Sequence, residues 1–93
     1  MTSTAIAAVV PRKRTTLMGR VTSVQTHVRP WVRLDAVLSD GTGTIVLRFM
    51  GRTEIPGLVP GRDLRVEGTA ALEREVLIMR NPIYSFVPEG PQA

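Results

Sequence analysis

The sequence contains no cysteine, a single histidine at position 27 and few aromatic residues. Without cysteine the chain has no disulfides, no thiolate metal ligands and no cysteine nucleophile, as is common in a reducing cytoplasm. One histidine is too few for a histidine-based metal site, and no serine has a base at a useful spacing for a catalytic triad. Asp35 and Asp40 fall on opposite faces of a predicted strand, which separates their carboxylates. We therefore expect no enzyme activity, no metal site and no cofactor.

Long hydrophobic runs are also missing. The longest apolar stretch near the start, residues 5–10, is far shorter than the roughly 20 residues that cross a bilayer. It precedes the basic cluster Arg12-Lys13-Arg14, whereas a signal peptide places its basic residues first. We predict neither a membrane segment nor a targeting segment, and we expect a cytoplasmic protein with no membrane partner.

Basic residues exceed acidic residues by a small margin. Twelve Lys and Arg against eight Asp and Glu give a net charge of +4. Residues 12–14 supply three of the twelve, so the rest of the chain is nearly neutral. Affinity for a polyanion must therefore come from the local placement of cations and from the basic cluster. We predict that residues 1–13 form a flexible N-terminal arm carrying this cluster, and that residues 89–93 form a disordered tail.

The rest of the chain has the pattern of an all-β protein. Apolar and β-branched residues alternate with polar ones in five segments separated by turn residues. The predicted strands are residues 17–28, 31–40, 44–50, 64–72 and 76–84, the last of them ending near Asn81-Pro82. Gly19 interrupts the first strand and predicts a bend or bulge. Asp40-Gly41 predicts a tight hairpin between the second and third strands.

The connection between the third and fourth strands is the longest. Residues 51–62 contain three glycines and two prolines, which leaves room for at most a short helical turn. A small five-stranded sheet exposes its edges unless it closes on itself. This order and spacing favour an OB fold, a five-stranded Greek-key barrel, over an SH3-like barrel or a short sandwich. We predict an all-β OB-fold domain over residues 14–88.

Four motifs in this order resemble a known family. They are Leu17-x-Gly19-x-Val21-x-Ser23-Val24, Asp40-Gly41-Thr42-Gly43, Pro60-Gly61-x-x-Leu64-x-Val66-x-Gly68 and Asn81-Pro82-x-Tyr84. Together they resemble OB-fold nucleic-acid-binding domains, among them the wedge domain of RecG-type helicases and small stand-alone OB-fold proteins of high-GC bacteria. The resemblance implies an OB barrel and a nucleic-acid ligand, which for the helicases is a branched DNA junction. It does not imply helicase activity, because the chain has no Gly-x-x-x-x-Gly-Lys-Ser/Thr phosphate loop.

OB folds commonly bind on the exposed face of the second and third strands, with help from neighbouring loops. Alternation places one aromatic side chain and several cations on or beside that face. An indole stacks on nucleic-acid bases, and guanidinium groups bind the backbone. The predicted nucleic-acid-binding residues are Arg29, Trp31, Arg33, Arg48, Met50, Arg52 and Arg74.

These residues also have structural interpretations. Trp31 would then pack over the open end of the barrel, with its flanking arginines solvated. Arg48 would form a cross-strand ion pair with Asp35. Arg52 and Arg74 would be ordinary surface residues.

We predict a nucleic-acid-binding module for single-stranded or branched DNA, with RNA as a second ligand class. One tryptophan and a few phosphate contacts indicate a modest, salt-sensitive affinity, about micromolar. The alternative is a protein-interaction module or a homodimer, formed through a sheet edge or through the apolar outer residues Val37, Val46 and Met50.

Overall fold

The computed structural model of the protein describes residues 3–88, so residues 1–2 and the predicted tail at 89–93 lie outside the described part. A 3₁₀ turn at Ile6–Ala8 precedes the strands. The strands are β1 (Arg14–His27), β2 (Arg33–Ser39), β3 (Thr44–Met50), β4 (Asp63–Glu73), β5 (Val76–Arg80) and β6 (Ile83–Phe86). No helix within the described residues is long and apolar enough to cross a membrane.

The strands form one sheet that closes on itself. Their order is β1-β2-β3-β5-β4-β6, and an additional pairing of β1 with β4 closes β1 to β5 into a ring. The β3–β5 pairing is parallel, and the other pairings are antiparallel. This five-stranded ring is the barrel of an OB fold, which confirms the predicted fold class.

The C-terminal strand of the prediction is two strands rather than one. The expected strand at residues 76–84 stops at Arg80, because Asn81 adopts a left-handed φ of 47° and Pro82 has no amide hydrogen to donate. The chain then turns to form β6, which pairs with β4 outside the ring.

Strand β1 is long because it serves two neighbours. Its first half pairs with β4 and its second half pairs with β2, with a register shift between Val21 and Ser23. The backbones approach closely at the changeover. A Cβ atom on Gly19 would lie 2.7 Å from the Ser39 carbonyl oxygen, so only glycine fits there without a shift. At Gly19, where the sequence predicted a bend or bulge, the β1 backbone passes close to Ser39 of β2, and the bulge follows between Val21 and Ser23.

Alternation along each strand separates the core from the outer surface. In β2, Leu34, Ala36 and Leu38 are buried, while the residues between them are partly exposed. The same alternation runs through β3 and β4. The fully buried large side chains are Ile6, Leu17, Val21, Leu38, Ile45, Leu47, Leu64, Val66 and Met79.

Loops rather than a helix close one end of the barrel. Residues 51–62 form turns without helix and insert Ile55 and Leu58, each 4% exposed, into the core. The Thr26 hydroxyl donates a hydrogen bond to the Thr53 carbonyl, which ties this loop to β1. Turns without helix at residues 51–62 agree with the prediction of at most a short helical turn there.

The N-terminal segment closes the other end, by the start of β3. We predicted a flexible arm over residues 1–13, but Ile6 is 1% exposed and belongs to the core cluster. The Ile6 amide donates to Asp40 Oδ2 at 2.8 Å, and the Ala7 amide donates to Thr42 Oγ1 at 3.1 Å. The prediction missed this docking because one buried residue in a short segment leaves no periodic pattern.

Candidate nucleic-acid interface

Strand registers place the outward-facing side chains of the barrel in rows. Asp35 pairs with Arg48 across β2 and β3, and Arg48 pairs with Arg80 across β3 and β5. We call Asp35, Arg48 and Arg80 the charged row. The next row toward the β2–β3 hairpin is apolar and contains Val37 and Val46, which are partly exposed, and Ile78, which is 6% exposed. We call these three residues the apolar row.

Asp35 is the electrostatic centre of the charged row. Arg48 donates two hydrogen bonds to it, from Nε to Oδ1 at 3.0 Å and from Nη2 to Oδ2 at 3.1 Å. Arg33 Nε lies 3.6 Å from Asp35 Oδ2, and His27 Nε2 lies 3.8 Å from the same oxygen. The hydrogen bond to Asp35 raises the pKa of Arg48 above its already high usual value. Arg48 and Asp35 therefore form a cross-strand ion pair, and Arg48 is not an isolated cation.

Arg33 is less tightly held by Asp35 than Arg48 is. Its Nε is buried and has no hydrogen-bond partner within the described residues, while its Nη1 donates to the Arg29 carbonyl at 3.3 Å. The Arg33 side chain is 17% exposed. Arg33 therefore makes a looser ion pair with Asp35 than Arg48 does.

Trp31 lies in the β1–β2 loop and faces solvent. Trp31 is 68% exposed, so its indole does not pack over the end of the barrel. Val28 and Val32 of the same loop are also exposed, at 63% and 40%. The loop thus presents a large apolar surface beside the charged row, and an exposed aromatic flanked by cations is what base stacking requires.

A single open depression brings most of the predicted residues together. It has a volume of about 460 Å³ and is lined by Pro30, Trp31, Arg33, Arg48, Met50 and Arg80. Four of these were predicted from the sequence: Trp31, Arg33, Arg48 and Met50. The indole, three guanidinium groups and a thioether therefore share one surface, even though they come from three strands and a loop.

Three predicted residues lie outside the depression. Arg29 is exposed in the β1–β2 loop, and Arg52 follows β3 and donates from Nη2 to the Glu54 carbonyl at 3.5 Å. Arg74 occupies the β4–β5 turn, with a left-handed φ of 50°. Because β5 runs parallel to β3, that turn lies at the Thr44 end of β3, roughly 20 Å of strand away from Met50.

Arg80 also lines the depression, although it was not among the predicted nucleic-acid-binding residues. Its Nη2 donates to Glu73 Oε2 at 2.9 Å, and both side chains remain substantially exposed. The parallel pairing of β3 with β5 brings Arg80 beside Arg48. Alternation after the buried Met79 indicates an outward side chain, but no local signal reveals which strand lies next to it.

Acidic partners reduce the charge of the depression. Arg33, Arg48 and Arg80 face Asp35 and Glu73, which leaves one excess positive charge. No group of three His, Asp or Glu side chains that could hold a metal ion occurs in the described part of the chain. The chemistry on offer is stacking, apolar contact and hydrogen-bond donation by arginine.

Comparisons with known proteins add a fold relationship. No protein-family model matches the chain, and no curated protein matches it. Among solved structures it is similar to RecG in the structure of RecG bound to a three-way DNA junction, with a TM-score of 0.73 and 22% sequence identity. The two share a fold. The match covers 94% of this chain and 12% of the RecG chain, so the protein corresponds in extent to a small part of RecG.

Proposed function

We propose that the protein is a non-catalytic nucleic-acid-binding module whose ligand is single-stranded or branched DNA. The observation that carries the proposal is the exposed indole of Trp31 at the edge of a depression lined by Arg33, Arg48 and Arg80. A base stacked on the indole would place its sugar–phosphate backbone over the guanidinium groups.

The expected affinity is modest. One stacked base contributes about 1–3 kcal/mol, and the sequence has only one tryptophan to provide it. The arginines are already paired with carboxylates, so each phosphate must compete with Asp35 or Glu73. Exposed ion pairs contribute about 0–1 kcal/mol, which makes such exchange inexpensive at Arg80. Binding is therefore expected to weaken steeply with added salt.

The similarity to RecG supports DNA as the ligand class. The solved structure that shares this fold contains RecG bound to a three-way DNA junction. The chain spans only 12% of that protein, so the activity of RecG as a whole does not transfer to it. What the similarity favours is a branched junction over a plain duplex.

Fluorescence at Trp31 gives a label-free test. The single tryptophan is exposed, so stacking of a base should quench its emission. Titrations at low salt would compare a single strand, a duplex and a three-way junction of matched composition. We expect saturable quenching by the single strand and the junction, and weaker quenching by the duplex. No binding of any of them at about 100 μM, two decades weaker than the predicted micromolar affinity, would refute the proposal.

Variants at the same position separate stacking from simple bulk. Trp31→Ala should lower single-strand affinity about tenfold, within the range of one lost stacking contact, while Trp31→Phe should retain most of it. Labelled DNA and anisotropy replace the tryptophan signal for these variants. Val59→Ala is the matched control, because Val59 is a 52% exposed apolar residue in the β3–β4 loop. Equal affinities for Trp31→Ala and Val59→Ala would exclude Trp31 from the site.

A second candidate is a protein-interaction module on the same fold. The low excess charge of the depression favours it, as do the partly exposed Val37 and Val46 of the apolar row. Light scattering on the purified chain tests the homodimer version. A dimer whose formation is abolished by Val46→Asp, together with absent DNA binding, would favour this candidate over the first.

A further inference from the structure

The basic cluster at residues 12–14 is held against the barrel rather than carried on a free arm. The Arg12 amide donates to the Ala70 carbonyl of β4 at 2.9 Å, and the Lys13 amide donates to the Val10 carbonyl at 3.3 Å. Upstream of the cluster, the buried side chain of Ile6 anchors the same segment in the core. The cluster therefore has a defined position at the start of β1.

That position continues the charged row around the barrel. The β4–β5 pairing ends at Ala70 and Met79, and continuing its register by one step places Arg80 beside Thr69, which pairs with Arg14 across β4 and β1. Thr69, Arg80 and Arg14 are all exposed. Outward-facing residues therefore run from Asp35 through Arg48, Arg80 and Thr69 to Arg14. This path crosses four strand spacings, about 19 Å at roughly 4.8 Å each.

Positive charge increases along this path toward the cluster. Arg14 Nε lies 2.9 Å from Glu67 Oε2, and the two side chains are 56% and 43% exposed. Arg12 and Lys13 are also exposed, so the three basic side chains face one acidic side chain. An exposed pair such as Arg14–Glu67 is weak and can yield to a phosphate. The cluster is thus more cationic than the depression beside Trp31.

We propose that Arg12, Lys13 and Arg14 form a second, backbone-binding site, which holds the phosphates of a nucleic-acid strand after it leaves the depression at Trp31. This inference rests on the proposed function. The depression would bind an unpaired base by stacking on Trp31. The cluster would add affinity only for strands long enough to pass over β5 and β4. A short oligonucleotide reaches the first site alone.

A length series of oligothymidylates tests the inference. Lengths from about 4 to about 16 nucleotides cover the site sizes found on OB folds. Arg12→Asn/Lys13→Gln removes two charges, and asparagine tolerates the left-handed φ of 72° at position 12. We expect unchanged affinity for the shortest strand and about a threefold to tenfold loss for the longest at low salt, with the salt slope reduced by about 1.4.

Arg14 and Arg20 provide a matched pair of single variants. Both are exposed arginines of β1 paired with an acid of β4, Arg14 with Glu67 and Arg20 with Asp63. They are separated by roughly 20 Å of strand, and Arg20 lies off the proposed path. Arg14→Gln should weaken binding of the longest strand, whereas Arg20→Gln should not. Thermal melting confirms that both variants remain folded.

The outcomes separate this inference from the proposed function. If short strands bind through Trp31 but the cluster variants show the wild-type length dependence, the second site is refuted and the proposed function remains. If no strand binds the wild-type protein, both fail. Polyglutamate of matched length that binds as tightly as DNA, with the same loss in the variants, would refute a nucleic-acid site at the cluster.

Discussion

Replacing Ile6 by alanine tests whether the N-terminal segment is part of the folded barrel. Ile6 is 1% exposed and packs in the core by Gly43, where a Cβ atom on that glycine would lie 3.3 Å from Ile6 Cγ2. Truncation of a buried isoleucine to alanine costs about 2–5 kcal/mol. We expect about 2–3 kcal/mol, because a cavity at the barrel end can partly collapse. The backbone hydrogen bond to Asp40 does not depend on the side chain and is retained.

Urea unfolding followed by far-ultraviolet circular dichroism measures this loss. Trp31 is already 68% exposed in the folded state, so tryptophan fluorescence would report unfolding poorly. In a domain of this size, 2–3 kcal/mol corresponds to a fall in Tm of about 10–20 °C. The dependence of stability on urea should not change, since the same surface is exposed on unfolding.

Val10→Ala is the internal control for this measurement. Val10 lies four residues further along the same segment and is 54% exposed, so its truncation should change stability by no more than about 0.5 kcal/mol. If Ile6→Ala proves as mild as Val10→Ala, the segment does not complete the core, and the fixed position of the basic cluster loses its support.

Two further substitutions probe the aspartates of the β2 strand and its turn. Hydrogen bonds to Asp40 from the Thr42 hydroxyl and from backbone amides, Ile6 among them, outweigh the effect of partial burial and lower its pKa from 3.8 to about 2. Asp40 thus contributes stability that is present above pH 3.8 and lost as the pH falls through about 2. Asp40→Asn should therefore make Tm fall less between those two pH values. A variant whose Tm falls with acid as steeply as that of the wild type would contradict this. Asp35→Asn should destabilise the protein by about 1–3 kcal/mol in urea unfolding, because Arg33 and Arg48 lose their carboxylate. It should also raise DNA affinity in anisotropy titrations by removing a negative charge from the depression, and a fall in affinity would count against that view.

The lining of the depression was predicted where it depends on alternation and missed where it depends on strand pairing. Trp31, Arg33, Arg48 and Met50 were placed on one face by period-two spacing, and the structure brings them together in one depression. Arg74 was included as a further cation beside that face, but its turn lies at the Thr44 end of β3. Arg80 was omitted because its proximity to Arg48 arises from a parallel pairing between residues 32 positions apart.

Local sequence patterns determined the first four strands, the β2–β3 hairpin and the OB fold, because alternation, Asp-Gly turns and the glycine- and proline-rich connection act over a few residues. Tertiary structure alone decided which rows of side chains lie next to each other, that Asp35 forms ion pairs with both Arg33 and Arg48, and where the N-terminal segment docks. The reason is that ring closure and burial of Ile6 depend on contacts between residues far apart in the chain. Their strength is set by the shape of the completed barrel, which no local stretch of sequence encodes.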